Sequence, residues 1–128
     1  MAGGAVSWSS KLQATVTLST AEAEYVAITQ AAQQAFWMDA FLGEIGLDQP
    51  LPTTLYCDNA SAIALALSTK GHQRAKHIDI RHHYIRERVS DGQIMLQHIP
   101  SIDNVADVFT KALTKALHVN NMKGLFGP

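Results

Sequence analysis

The sequence predicts an α/β fold, in which helices flank a sheet that contains parallel strands. Short segments with strand character alternate along the chain with longer segments of helical periodicity, and cap residues or Gly and Pro separate them. A helix that crosses over between neighbouring strands leaves those strands parallel. The 128 residues are 47% hydrophobic and 16% charged, which excludes a disordered chain. We expect residues 1–128 to form a single domain.

Extended structure is predicted twice before the first helix. Val6 and Trp8 alternate with smaller residues directly after a pair of glycines, and residues 15–18 read Thr-Val-Thr-Leu. Such alternation and β-branched content are typical of strands. We therefore expect one strand near residues 5–9 and another at 15–18.

A long helix is predicted from about Thr20 to Leu42, ending near one of two glycines, Gly43 or Gly46. Ser19 followed three residues later by Glu22 is a capping-box pattern. Glu24 shares a face of this helix with four small or apolar residues, a face we expect to be buried: Ala27, Ile28, Ala31 and Ala35. A polar stripe is expected on the other side: Glu22, Thr29 and Gln33. A carboxylate on a buried face requires a group that stabilises its charge.

The same signals predict the remaining elements. They are a strand at 54–57, a helix at 60–67, a helix at 75–89, a strand at 94–99, a helix from 105 to about 117 and a short helix at 119–125. Asp91-Gly92 ends the third helix, and Pro100 closes the last strand.

Three acidic residues lie where predicted elements begin or end. Glu24 is in the first turns of the long helix, Asp58 follows a strand, and Asp107 is in the first turn of a late helix. Ligands of such sheets gather at the carboxyl ends of strands, and converging carboxylates repel one another unless a cation such as Mg²⁺ or Mn²⁺ binds them. Two such ions would clamp the oxygens of a phosphodiester. Each aspartate also has a structural alternative, since Asp58 or Asn59 can cap the next helix and Asp107 can complete a capping box.

Five stretches spread over nearly the whole chain form a distinctive set: Ala5–Lys11, Leu18–Ala27, Leu55–Asn59, Lys76–Arg81 and Asn104–Lys111. In sequence, order and spacing they closely resemble the ribonuclease H domain at the end of copia-type retrotransposon polyproteins. The resemblance implies a ribonuclease H-like fold, which is a mixed five-stranded sheet with flanking helices. It also implies metal-dependent hydrolysis of RNA in RNA–DNA hybrids.

The resemblance assigns the three acids to a metal site that has four acids in the family. Glu24, Asp58 and Asp107 match three of them as catalytic residues and ligands of two Mg²⁺ (or Mn²⁺) ions. The fourth is an aspartate on the family's first strand, whereas no acid precedes Glu22 here. We therefore expect the fold to lack the family's first two strands. This predicts a fragment of an element-derived gene, or a gene model cut from a degenerate copy, with weak or no activity.

A basic segment predicts a polyanionic partner, which the resemblance specifies as an RNA–DNA hybrid. Six of the ten Lys and Arg residues lie between Lys70 and Arg88. The candidate nucleic-acid contacts are Arg74, Lys76, His77, Arg81, Tyr84 and Arg88. A merely solvated helix surface is an equally valid alternative. A zinc site is not favoured among five histidines without cysteine partners or regular spacing: His72, His77, His82, His83 and His98.

An intracellular protein is expected. The sequence shows no membrane span and no signal peptide, and the single Cys57 favours a reducing compartment. The resemblance implies an upstream reverse transcriptase domain as a partner. The rival hypothesis is a non-catalytic remnant that binds nucleic acid or protein, or associates with itself, through an open sheet edge.

Overall fold

The computed structural model describes residues 4–13, 19–68 and 76–126, and of residues 76–82 it describes the backbone alone. The chain divides into two compact units, one formed by Thr17–His98 and the other by Met1–Val16 with Ile99–Pro128. The strand predicted at 15–18 lies outside the described residues. A single domain over 1–128 stays a prediction.

The unit Thr17–His98 contains three helices and two strands. They are α1 (Thr20–Glu44), β1 (Thr53–Cys57), α2 (Ala60–Leu67), α3 (Lys76–Ser90) and β2 (Ile94–His98). β1 and β2 pair in parallel, with Thr53 opposite Ile94 and Cys57 opposite His98. The connection through α2 and α3 is the predicted helical crossover between parallel strands. These predicted strands and helices are confirmed, with boundaries that differ by one or two residues.

Local hydrogen bonds explain where these helices begin and end. The side chain of Ser19 accepts a hydrogen bond from the Glu22 N–H at 3.2 Å, as its capping pattern predicts. The Asn59 side chain accepts from the Ala62 N–H at 3.0 Å and so caps α2. After α3 the chain turns through Gly92, whose φ of 68° is a left-handed conformation that suits glycine.

The core of this unit lies between the three helices and the inner face of the sheet. Its buried members are Tyr25, Ile28, Ala32, Cys57, Ala62, Ala66, Ile85 and Ile94. Three of them are alanines in α1 and α2, and these short side chains allow the two helices to pack closely. Burying each large member contributes about 1.5–3 kcal/mol relative to leaving it exposed.

The predicted burial of α1 is wrong in part. Ile28 is buried as expected, but Ala27 and Ala31 are exposed, and Tyr25 lies in the core instead. The face is displaced because the Tyr25 ring buries more apolar surface than either alanine, and one residue turns a helix by about 100°. Glu24 therefore lies at the border of the buried face, and it is half-buried.

The predicted polar stripe is also corrected at one position. Thr29 is 3% exposed, whereas Gln33 is exposed as predicted. The Thr29 hydroxyl donates a hydrogen bond to the Tyr25 carbonyl at 3.0 Å. This bond to the preceding turn satisfies the hydroxyl and allows the side chain to be buried.

The second unit has no strand in its described residues, so the strand predicted at 5–9 is wrong. The Ala5 N–H donates to the Leu125 carbonyl at 2.6 Å, and the Ser10 hydroxyl donates to the Phe109 carbonyl at 3.2 Å. Both acceptors belong to helical segments. Val6 and Trp8 alternate as in a strand, but both are exposed because no neighbouring strand covers them in the described part of this unit.

The helix predicted from 105 to about 117 is also wrong. The chain forms a 3₁₀ turn at Ser101–Asp103, a 3₁₀ helix at Val105–Phe109 and then α4 at Lys115–Phe126, which includes the short helix predicted at 119–125. The Asn104 side chain accepts from the N–H of Ala106, only two residues further on, which favours a tight turn. Thr114 accepts from the Leu117 N–H at 3.4 Å and begins the next helix. None of the described helices combines the length and the apolar character needed to cross a membrane.

Candidate metal centre

The course of β1 along α1 brings Asp58 towards the first turns of that helix. At the start of β1, the Thr53 hydroxyl donates to a carboxylate oxygen of Asp39 at 2.7 Å. β1 then runs back along α1 and ends at Cys57, and Asp58 follows at once. A side chain at the carboxyl end of a parallel strand is well placed for ligand binding.

Glu24, Cys57 and Asp58 converge at this strand end. One ligand atom from each side chain, a carboxylate oxygen or the sulfur, lies within 4.8 Å of the other two. Cys57 is buried, and both acids are half-buried. The structure therefore brings together two of the three predicted site acids, and their role as metal ligands stays a prediction.

Asn59, and not Asp58, caps the following helix. The amide oxygen of Asn59 makes the capping hydrogen bond, and its backbone has the extended conformation of a cap residue, with φ −107° and ψ 97°. Of the two capping alternatives that the sequence left open, the structure selects Asn59. Asp58 is accordingly one residue before the cap, and its carboxylate lies near that of Glu24.

The surroundings of Cys57 keep its sulfur protonated. Burial raises the pKa of the thiol above its ordinary value of 9.0, the Asn59 N–H lowers it, and the charges of Glu24 and Asp58 raise it further. The Asn59 N–H lies 3.4 Å from the sulfur and donates to it. At neutral pH the thiol of this cluster is therefore neutral.

This donor set fits a hard divalent cation. Mg²⁺ and Mn²⁺ prefer carboxylate oxygens, which Glu24 and Asp58 supply, whereas zinc sites use thiolate sulfur or imidazole nitrogen. Among side chains that the structure describes, the converging group of three potential ligands contains no histidine. His83 instead lies 3.4 Å from the Arg86 guanidinium.

Asp107 belongs to the second unit, where its carboxylate is buried and paired. It is 7% exposed and lies in the 3₁₀ helix Val105–Phe109. The Lys111 ammonium contacts its Oδ2 atom at 2.9 Å. The capping box weighed from the sequence is not the arrangement found, since the Asn104 side chain bonds two residues ahead and the Asp107 carboxylate pairs with Lys111.

The candidate nucleic-acid contacts are described only in part. Arg74 lies outside the described residues, and the side chains of three others are not described: Lys76, His77 and Arg81. The Arg88 guanidinium lies 4.4 Å from the centre of the Phe36 ring and 5.2 Å from that of Tyr84. It also donates to the Gln93 side chain at 2.8 Å. Arg88 thereby connects α3 to α1, and phosphate contact by Tyr84 or Arg88 stays a prediction.

Two residues of these clusters were not singled out from the sequence. Cys57 is adjacent to Asp58. Successive side chains of a strand point to opposite faces, so an outward Tyr56 implies an inward Cys57, and the structure has Tyr56 exposed and Cys57 buried. Lys111 lies four residues after Asp107, the spacing at which opposite charges meet on a helix. Both signals were available in the sequence.

The geometry thus defines a class of site, a carboxylate centre at the end of a parallel strand that suits a divalent cation. Comparison with known proteins shows which proteins this chain is similar to. It is 46% identical over 113 residues to the retrovirus-related Pol polyprotein from transposon TNT 1-94 of Nicotiana tabacum, a match that covers 88% of this chain and 8% of the polyprotein. It is 36% identical over 115 residues to those from transposons RE1 and RE2 of Arabidopsis thaliana, covering 90% of this chain and 8% of each polyprotein.

The homologues are copia-type retrovirus-related Pol polyproteins of plant transposons, and they cover most of this chain. The chain spans about 8% of the length of these curated relatives. No protein-family model matches the chain. No solved structure matches it. The homology supports a retroelement-derived protein.

Proposed function

We propose that this chain is the ribonuclease H part of a retrotransposon Pol polyprotein and that it hydrolyses the RNA strand of RNA–DNA hybrids with a divalent cation. One observation carries the proposal: the ligand atoms of Glu24 and Asp58 lie within 4.8 Å of each other at the carboxyl end of β1. Homology to Pol polyproteins over 88–90% of the chain supports it. The parallel pairing of β1 with β2 supports a ribonuclease H-like fold.

Each residue of the cluster has a distinct part in this proposal. Glu24 and Asp58 would hold Mg²⁺ or Mn²⁺. Bound divalent ions would neutralise charge on the scissile phosphate and activate the attacking water. Cys57 contributes no charge, because its raised pKa keeps the thiol neutral.

The hybrid is a polyanion, and the chain carries a matching concentration of positive charge. Six of its ten Lys and Arg residues lie between Lys70 and Arg88. Such a segment attracts phosphates over a distance that depends on salt. In this proposal the basic segment attracts the hybrid towards the site, and this attraction weakens as the salt concentration rises.

Cleavage of a defined hybrid tests the proposal. The chain carries three acids that match the four-acid site, so we expect weak Mg²⁺-dependent cleavage of the RNA strand and none of double-stranded DNA. Asp58→Asn should abolish it, because the amide removes the negative charge on which cation binding depends. The matched control is Asp48→Asn, which neutralises an exposed acid and should retain wild-type activity.

Cleavage that persists in Asp58→Asn, or that needs no divalent cation, would contradict this function. Hybrid binding without cleavage would favour the second candidate, a non-catalytic binding module. That candidate is supported by the outer face of the sheet, where Tyr56 is 59% and Met95 is 44% exposed. An exposed apolar surface of this kind suits a protein partner, including a second copy of the chain.

A further inference from the structure

The end of α1 carries large apolar side chains on the face that points away from the core. Trp37 is 56% exposed, Phe41 is 43% exposed and Ile45 is 53% exposed. Trp37 follows the buried Ile28 by nine residues, and since each residue turns a helix by about 100°, the two lie on opposite sides of α1. Packing of the core therefore does not explain the apolar character of this face.

Trp37, Phe41 and Ile45 form a continuous ridge, which we call the outer ridge. They are four residues apart, so their side chains follow one another along one row of the helix, over about 12 Å. Ile45 directly follows α1, and its N–H still donates to the Phe41 carbonyl at 3.3 Å. Rows of this spacing are the ones that fit into the groove of a second helix.

The outer ridge lies on a well-anchored part of α1. The rings of Trp37 and Phe41 stack, with their centres 5.5 Å apart and their planes 5° from parallel. On the inner side of the helix Leu42 is buried, and the Asp39 carboxylate accepts from the Thr53 hydroxyl at 2.7 Å. Side chains that are already packed together lose less freedom when a partner binds, which favours binding.

The charge around the outer ridge is negative. Residues 12–69 contain six acids and no Lys or Arg. Glu44 is exposed and lies three residues after Phe41, which makes the two neighbours on the helix surface, and the exposed Asp48 follows the end of α1. The same ridge of a second copy would bring acids against acids, and the phosphates of a nucleic acid would be repelled as well. A partner that carries Lys or Arg is attracted.

Arg88 reaches α1 on a different side of the helix. Its guanidinium lies 4.4 Å from the centre of the Phe36 ring, about 100° around the helix from Trp37. The same guanidinium donates to the Gln93 side chain at 2.8 Å. Arg88 is thus engaged within its own unit, and the negative charge beside the ridge stays available to a partner.

We infer that the outer ridge docks an amphipathic helix of a partner protein, one whose large apolar side chains are flanked by Lys or Arg. The helical form follows from the four-residue spacing, and the basic flanks follow from the acids around the ridge. Trp37 lies about 20 Å along α1 from Glu24. The inference is therefore independent of the metal site proposed at Glu24 and Asp58.

Two synthetic helical peptides of about 18 residues, long enough to span the ridge, test this inference. One is built from Leu and Lys and the other from Leu and Glu in the same amphipathic pattern. Each carries a dye, and its fluorescence anisotropy is followed as the full chain is added. We expect the Leu/Lys peptide to bind at least about tenfold more tightly than the Leu/Glu peptide, because only its charges complement those around the ridge.

Substitutions locate the binding surface. Trp37→Ala and Phe41→Ala should each weaken binding of the Leu/Lys peptide by at least about tenfold, since aromatic anchors carry much of the energy of such contacts. Glu44→Gln should weaken it by about twofold to fivefold and reduce its salt dependence. The matched control is Ile102→Ala, which removes a 64% exposed apolar side chain outside α1 and should retain wild-type affinity.

The emission of Trp37 gives a second, local readout. The chain has two tryptophans, so Trp8→Phe leaves Trp37 alone, and its emission should shift to shorter wavelength as the Leu/Lys peptide covers it. Circular dichroism establishes that each variant is folded. Because both ridge residues are exposed, we expect both alanine variants to fold, and either one that folds decides the result.

Several outcomes would overturn the inference. Wild-type affinity in the folded ridge variants would place the peptide elsewhere, and equal affinity for the two peptides would remove the role of charge. Self-association of the wild-type chain that Trp37→Ala abolishes would make a second copy the occupant. A shift of the Trp37 emission with an RNA–DNA hybrid but not with the Leu/Lys peptide would make the ridge a nucleic-acid contact.

Discussion

At Cys57, a neutral sulfur lies within 4.8 Å of a carboxylate oxygen of Glu24 and of Asp58. The thiol is buried at the end of β1, and the charges of Glu24 and Asp58 add to the effect of burial on its pKa. A thiolate at this place would be repelled by both acids and poorly solvated. The residue thus keeps negative charge off sulfur and leaves the carboxylate oxygens, the atoms that a hard cation prefers, as the charged groups of the proposed site.

The raised pKa of Cys57 predicts a loss of stability at alkaline pH. Because the folded chain holds the thiol proton more firmly than the unfolded chain, this contribution to stability is present below the ordinary thiol pKa and is lost as pH rises through the folded value. The free energy of unfolding should therefore fall as pH rises above the ordinary thiol pKa of 9.0, and Cys57→Ala should lack that part of the fall. Urea unfolding at a series of pH values measures it.

The alanine variant also leaves a small cavity, which lowers its stability at every pH. The comparison therefore concerns the slope with pH and not the absolute stability. Parallel curves for wild type and Cys57→Ala would contradict the environment assigned to the thiol.

The cap of α2 shows how one element directs the candidate site. Asn59 uses its own side chain to begin the helix, and the preceding Asp58 lies next to Glu24. In the turn from β1 to α2, two adjacent residues therefore have different roles: Asp58 is a candidate ligand, and Asn59 caps the helix. The core alanines of α2 hold that turn against α1.

Asn59→Ala should destabilise the chain by about 1 kcal/mol, the usual effect of losing a helix cap. Asn59→Asp should retain most of the stability, since a carboxylate caps a helix N-terminus equally well. Ser61→Ala changes an exposed residue in the first turn of the same helix and serves as the control. Urea denaturation followed by circular dichroism measures all three, and an Asn59→Ala variant as stable as wild type would contradict this account of the cap.

The elements that could be predicted from sequence are those determined by nearby residues. Ser19 and Asn59 cap their helices, and Gly92 ends the turn after α3, because each acts within a few residues. The strand predicted at 5–9 depended on a pairing partner that alternation alone does not supply. The helix predicted across Thr114 failed because two caps, at Asn104 and at Thr114, divide that segment.

The candidate site was predictable to a similar extent. The positions of Glu24 and Asp58 follow from one helix start and one strand end, and the resemblance identified both residues. The displaced burial of α1 was not predictable, because it depends on which side chain of the helix fills the core. The pairing of Asp107 with Lys111 follows the four-residue spacing of opposite charges, which the sequence already contains.

At the scale of the whole molecule, the chain matches a short stretch of much longer proteins. It is homologous to about 8% of each Pol polyprotein that it matches, and its described residues form two compact units. The two converging carboxylates lie within one of these units, so their geometry is defined inside that unit. The central claim is that this pair holds a divalent cation.

Mn²⁺ titration of the wild-type chain, Glu24→Gln and Asp58→Asn tests that claim most directly. Glu87→Gln and Asp48→Asn are the matched controls, since each neutralises an exposed acid of the same type. We predict that each site variant weakens Mn²⁺ binding by at least about tenfold, whereas both controls retain wild-type affinity. Wild-type affinity in both Glu24→Gln and Asp58→Asn would contradict the claim.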